Sequence, residues 1–131
     1  MDGIGRLAAL GLLLVLPDGF GGPAVADEPD LERGARLFLG CRGCHGIGGT
    51  EDRPGPDLAG LFGRRAGSLA TYRGYSAAMK AAGFDWTEAR LDAWLADPNG
   101  FLPGNIMSYQ GLRSEQDRKD LIAWLRRETA R

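Results

Sequence analysis

From Gly43 to Gly74 the chain sustains neither the 3.6-residue period of a helix nor the two-residue period of a strand. It is broken instead by Gly46-Ile47-Gly48-Gly49 and Arg53-Pro54-Gly55-Pro56, which read as loop. A loop of roughly 30 residues is uncommon in a compact domain unless it serves a site. The flanking segments are helical. Asp30 can cap a first helix in which Leu31, Gly34, Ala35, Phe38 and the pair Cys41 and Arg42 fall at helical spacing. Ser76 opens a short helix to Ala82, ended by Gly83, and Thr87 caps a third with the stripe Leu91, Trp94 and Leu95, ended by Pro98. Residues 98–112 read as a second loop. Ser114, with Asp117 three residues on, starts the last helix, whose apolar side is Leu121, Ile122, Trp124 and Leu125. No strand pair or internal repeat is visible, so the expected class is all-α with three to four helices and long loops. So few helices give a thin core. A large apolar cofactor at the centre resolves both difficulties, because the loops can then pack against it.

The 131 residues suffice for one domain. Residues 1–26 are set apart, since the apolar run Leu7 to Leu16 follows Arg6 and precedes the small-x-small site Ala24-Val25-Ala26, as in a cleaved secretory signal. The run is about half of the ~20 apolar residues that a spanning helix needs. The working domain is then 27–131, exported to the periplasm with no permanent membrane insertion. Its acids and bases balance once Arg6, Asp2 and Asp18 are gone. That balance argues against nucleic acid, which requires a basic stripe.

Cys41-Arg42-Gly43-Cys44-His45 is C-x-x-C-H, the spacing of covalent haem attachment. On one turn of backbone the two thiols can reach two vinyl groups of a porphyrin edge, while the adjacent imidazole becomes an iron ligand. Three other chemistries use such residues. A thioredoxin-like dithiol belongs in a βαβ unit, and that pattern is absent here. Structural zinc needs four ligands, whereas the chain has two Cys and one His. A simple disulfide closes too small a loop to staple a domain. With a single histidine, a second imidazole cannot hold the other face of the iron, which leaves methionine, a weaker group or nothing. Met79 and Met107 are the candidates that remain after Met1 leaves with the signal. Met79 sits in an alanine-rich helical stretch that suits core filling. Met107, in the turn Pro103-Gly104-Asn105-Ile106-Met107, is favoured.

Taken in order, these motifs resemble a class I cytochrome c of the mitochondrial and bacterial cytochrome c2 or c-550 kind, from about Leu31 to Arg127. The likeness rests on Gly34 and Phe38, the C-x-x-C-H motif, Gly55-Pro56-Asp57-Leu58, Gly60-Leu61-Phe62-Gly63-Arg64, Tyr75, Trp86, Pro103-Gly104 with Met107, and Asp120-Leu121-Ile122-Ala123-Trp124-Leu125. The resemblance implies one covalent haem c on Cys41 and Cys44, with His45 and Met107 as axial ligands. It implies that the Pro56 carbonyl accepts the His45 ring hydrogen, and that Arg64, Tyr75 and Trp86 bind the haem propionates. It further implies that Gly34 lets the first and last helices cross closely, with Phe38 against Leu121 and Trp124. There are departures. Trp94 stands where a tyrosine is common, Tyr109 where phenylalanine is usual, and only Lys80 and Lys119 represent the lysines by which relatives dock. Arg36, Arg42 and Arg113 are the residues that could form a basic rim.

The expected function is a monomeric one-electron carrier and not an enzyme. By resemblance its partners are a quinol:cytochrome c oxidoreductase, a terminal oxidase, a photosynthetic reaction centre or a periplasmic dehydrogenase. Two alternatives are a haem subunit held permanently in such a dehydrogenase, and a haem enzyme or sensor with an open sixth site. The latter needs a distal acid–base residue, typically a histidine, and none is left.

Overall fold

The computed structural model describes residues 28–130, so the secretory signal expected over 1–26 lies outside the described residues. Five helices follow one another: α1 (Leu31–Phe38), α2 (Ala77–Lys80), α3 (Glu88–Ala96), α4 (Pro98–Phe101) and α5 (Glu115–Glu128). Each begins where a short polar side chain can accept an otherwise unpaired N–H of the first turn. Asp30 takes that of Arg33 at 2.9 Å, Ser76 that of Met79 at 3.0 Å, Thr87 that of Arg90 at 3.2 Å and Ser114 that of Asp117 at 3.2 Å.

The all-α class holds, with two corrections. Residues 98–112 are not all loop. Pro98 does follow the end of α3, but it also occupies the first position of α4, where its missing N–H costs nothing. Asp97 caps that turn by accepting the Gly100 N–H at 3.0 Å. The first helix, in turn, stops at Phe38 instead of running on to Arg42. Beyond it the chain tightens into consecutive turns, with Cys41 N–H and Arg42 N–H both donating to the Phe38 carbonyl and His45 N–H to the Cys41 carbonyl. Among the described residues the extended pairing is one isolated antiparallel bridge, Arg65 with Asp85.

α1 crosses α5 at Gly34. A Cβ there would sit 2.6 Å from the Trp124 Cβ, so only glycine allows this approach. Phe38 lies 4.7 Å, centroid to centroid, from Trp124. Asp120, 1% exposed, accepts the Asp30 N–H at 2.9 Å and the Gln116 amide at 2.8 Å, tying the start of α1 to the middle of α5. Burying a carboxylate is tolerable only with such donors. The core continues through Leu121, Leu125, Leu91, Leu95 and Leu61 to an aromatic group of Trp86, Trp94, Phe84 and Phe101. Among the described residues no helix is long and apolar enough to cross a membrane.

Candidate functional site

One cavity runs through the middle of the helices and is walled by Phe38, Leu58, Leu61, Leu91, Leu95 and Leu121. The eight residues singled out for cofactor binding, Cys41, Cys44, His45, Pro56, Arg64, Tyr75, Trp86 and Met107, all line it. They come from four separate stretches of chain. α1 and its following turns deliver the cysteines and His45, the long loop delivers Pro56, Arg64 and Tyr75, the bridge segment delivers Trp86, and the turn after α4 delivers Met107. Met79 lines the same cavity.

The ring of His45 is fixed from behind. Its Nδ1 lies 2.8 Å from the Pro56 carbonyl oxygen. A carbonyl only accepts, so Nδ1 carries the hydrogen and Nε2 keeps a free lone pair. A Cβ on Gly55 would fall 2.6 Å from His45 Cε1, so that glycine is the slot in which the imidazole sits. Burial lowers the His45 pKa, and Arg64 lowers it further, against the opposing effects of the Pro56 bond and Asp57; the neutral, ligating form is favoured.

The Pro56 loop is itself anchored. Asp57 accepts the N–H groups of Gly48 at 2.9 Å, Gly49 at 3.2 Å and Ala59 at 2.8 Å. Arg53 donates to the Arg42 carbonyl at 2.6 Å, linking this loop to the turn that bears the cysteines. Arg64 donates to the carbonyls of Ala59 and Asp57 at 3.1 and 3.0 Å, which leaves three of its five N–H groups for other acceptors. Tyr75 meets Tyr72 edge to face at 4.8 Å, and burial raises its pKa. Trp86 is held edge-on to Phe84 at 5.0 Å and to Trp94 at 5.6 Å.

No disulfide joins Cys41 and Cys44, and burial, then the proximity of Cys44, raises the pKa of the Cys41 thiol. The donor set suits an iron porphyrin. Two unbridged sulfurs, one imidazole nitrogen and the thioethers of Met79 and Met107 line a largely apolar space, beside the Arg64 guanidinium and the tyrosine hydroxyls that carboxylates require.

Two residues that line the cavity escaped the sequence reading. Tyr72 donates its hydroxyl to the Pro54 carbonyl at 2.7 Å. Asn105 donates to the carbonyls of Pro98 and Leu102 and accepts the Met107 N–H. The available signals were a second tyrosine three residues before Tyr75, and an asparagine, a turn-former, beside the favoured methionine. Of the arginines expected at a rim, Arg36 pairs with Glu32 at 3.9 Å. Arg36, Arg42 and Arg113 are exposed, and none lines the cavity.

Residues 31–128 match the family model described as cytochrome c. Cytochrome c of Arabidopsis thaliana is 41% identical over 104 residues, covering 78% of this chain and 92% of the relative. That of Chlamydomonas reinhardtii is 41% identical over 109 residues, covering 82% and 96%. Among solved structures, cytochrome cH from Methylobacterium extorquens superposes with a TM-score of 0.69 at 35% identity, covering 75% of this chain and 98% of that one.

Proposed function

Because the chain belongs to the cytochrome c family, whose members carry electrons on a covalent haem c and are not enzymes, we propose that it is an exported one-electron carrier working in the periplasm. When bound, the haem supplies reversible Fe(III)/Fe(II) exchange. The residues of this chain do the rest. Cys41 and Cys44 would hold the porphyrin edge as thioethers, and His45 would ligate the iron through the Nε2 lone pair that the Pro56 bond leaves free. Met107 would supply the sulfur ligand, and a thioether on the iron would favour a higher potential. The apolar wall of leucines and Trp94 keeps water from the iron, and low polarity around a redox centre tunes its potential further. Arg64, Tyr75 and Trp86 would donate hydrogen bonds to the propionates. With His45 and Met107 both reserved for the iron, the chain would leave no site on it for a substrate.

Removal of residues 1–26 as a secretory signal would deliver the domain to a compartment where a quinol:cytochrome c oxidoreductase, a terminal oxidase, a photosynthetic reaction centre or a periplasmic dehydrogenase can exchange electrons with it. Small, short-lived interfaces suit such traffic.

The observation that carries this reading is the convergence of both cysteine sulfurs, the tautomer-fixed His45 and the Met107 thioether on one apolar cavity. Its test is the mass and optical spectrum of protein made in a cell that attaches haem to exported chains. The expected mass is that of residues 27–131 plus one haem, and the oxidised spectrum should show the weak sulfur-to-iron band at the red end of the visible range. Met79→Ala keeps that band and Met107→Ala loses it. A colourless product would refute the reading, and a band surviving Met107→Ala would refute the ligand.

A further inference from the structure

The wall of the cavity that bears Met107 carries no charge. From Pro98 to Leu112 there is no Asp, Glu, Lys or Arg, in a chain of which 25% is charged. Much of this stretch faces solvent: Asn99, Ser108 and Gln110 are exposed, and Ile106 is 68% exposed. With Asn105 and Tyr109 they form a shallow groove beside the cavity mouth, and no charged side chain lines it. On the cysteine side, Gly40 and Cys44 line the cavity, and Leu39 next to them is 61% exposed. Of the cations nearest this edge, Arg33 pairs with Asp117 and Arg36 lies near Glu32, while Arg42 and Arg113 are exposed but line neither the cavity nor the groove.

A protein that docks by steering needs one sign of charge around its exit edge. This edge instead offers a large exposed aliphatic side chain among neutral amides and hydroxyls. A partner that placed an unpaired charge against Ile106 would lose its hydration without recovering a counter-charge. We propose that electrons cross this face to a redox protein whose own cofactor rim is likewise uncharged and partly apolar, in an association that salt barely affects. The inference rests on the carrier reading above.

A second copy of this chain presents such a rim, so electron self-exchange between oxidised and reduced holoprotein, followed by NMR line broadening, is the assay. The second-order constant should change by less than about twofold between roughly 10 mM and 0.5 M salt, although the screening length falls from about 30 Å to a few Å. Ile106→Lys or Gln110→Lys places like charges face to face. Either should slow exchange about threefold at low salt, with recovery at high salt, as two charges roughly 6 Å apart in water repel. Ala89→Lys, on the exposed side of α3, should leave the constant unchanged. The proposal is overturned by a wild-type constant that moves more than twofold, by rim lysines without effect, or by an Ala89→Lys that slows exchange equally. A haem that cannot be reduced and reoxidised at all overturns the carrier reading and this inference together, and the optical spectrum identifies that case.

Discussion

The side-chain oxygen of Asn105 accepts the backbone N–H of Met107 at 3.0 Å, while its amide nitrogen donates to the carbonyls of Pro98 and Leu102 at 3.0 and 2.9 Å. One residue thus spans α4 and the turn that presents the thioether. After replacement by alanine the Pro98 and Leu102 carbonyls keep their backbone donors, the N–H groups of Leu102 and Asn105, but the Met107 N–H is left unmatched, a loss of about 1–3 kcal/mol. For a domain of this size that is a fall in Tm of roughly 5–15 °C. Asn105→Ala holoprotein should also show a weakened sulfur-to-iron band, because the turn no longer holds Met107 in place. A full-strength band at unchanged Tm would show that Asn105 does not position the turn.

Gly34 sits where a Cβ would come within 2.6 Å of the Trp124 Cβ. Gly34→Ala must push α1 from α5, an overpacking cost of about 1–3 kcal/mol, although alanine is the better helix former. Denaturant titration should give a lower midpoint. Gly49→Ala, where the nearest atom to an added Cβ is 3.9 Å away, serves as the comparison and should change little.

Gly55→Ala attacks the site more directly. Its methyl group would lie 2.6 Å from His45 Cε1 and 2.9 Å from Nδ1, so the imidazole must tilt and the Pro56 bond must lengthen or break. The expected result is a lower yield of haem-loaded protein and an altered Soret band in what remains. A Gly55→Ala protein with the spectrum and yield of wild type would mean that the ring has room to spare.

Acid sensitivity should arise at Asp57. Burial, the largest single influence, pushes its carboxyl up, but the N–H groups of Gly48, Ala59 and Gly49, with Arg64, outweigh it and hold the pKa below the ordinary 3.8. A carboxylate depressed in the folded state stabilises that state above its unfolded pKa, and the contribution is lost as pH falls from about 3.8 through the folded value. The denaturant midpoint of wild type should therefore decline over this window, and that of Asp57→Asn should decline less steeply. Equal slopes would remove Asp57 as the source.

Local chemistry was legible along the chain. The caps Asp30, Ser76, Thr87 and Ser114 declare their helices within three residues, so four of the five elements could be placed by reading neighbours alone. Pro98 was harder, because a proline that stops one helix is locally indistinguishable from one that starts the next; Asp97 and the Gly100 N–H decide it. Tyr72 and Asn105 were overlooked because their partners, Pro54 at 18 residues and Pro98 at seven, are carbonyls that only the folded loops bring within reach.

By itself, then, the sequence determined what depends on spacing: the Cys41, Cys44 and His45 cluster, the helical class, and the scarcity of histidine that points to sulfur as the second ligand. Tertiary structure alone decided that Cys41 and Met107, far apart in the chain, share one cavity, and that the uncharged stretch from Pro98 to Leu112 forms its outer wall. The reason is the close crossing of α1 and α5 at Gly34, with Asp120 buried between them. Short-range periodicity cannot specify such a contact, because its energy comes from surfaces that are neighbours only after the chain has folded.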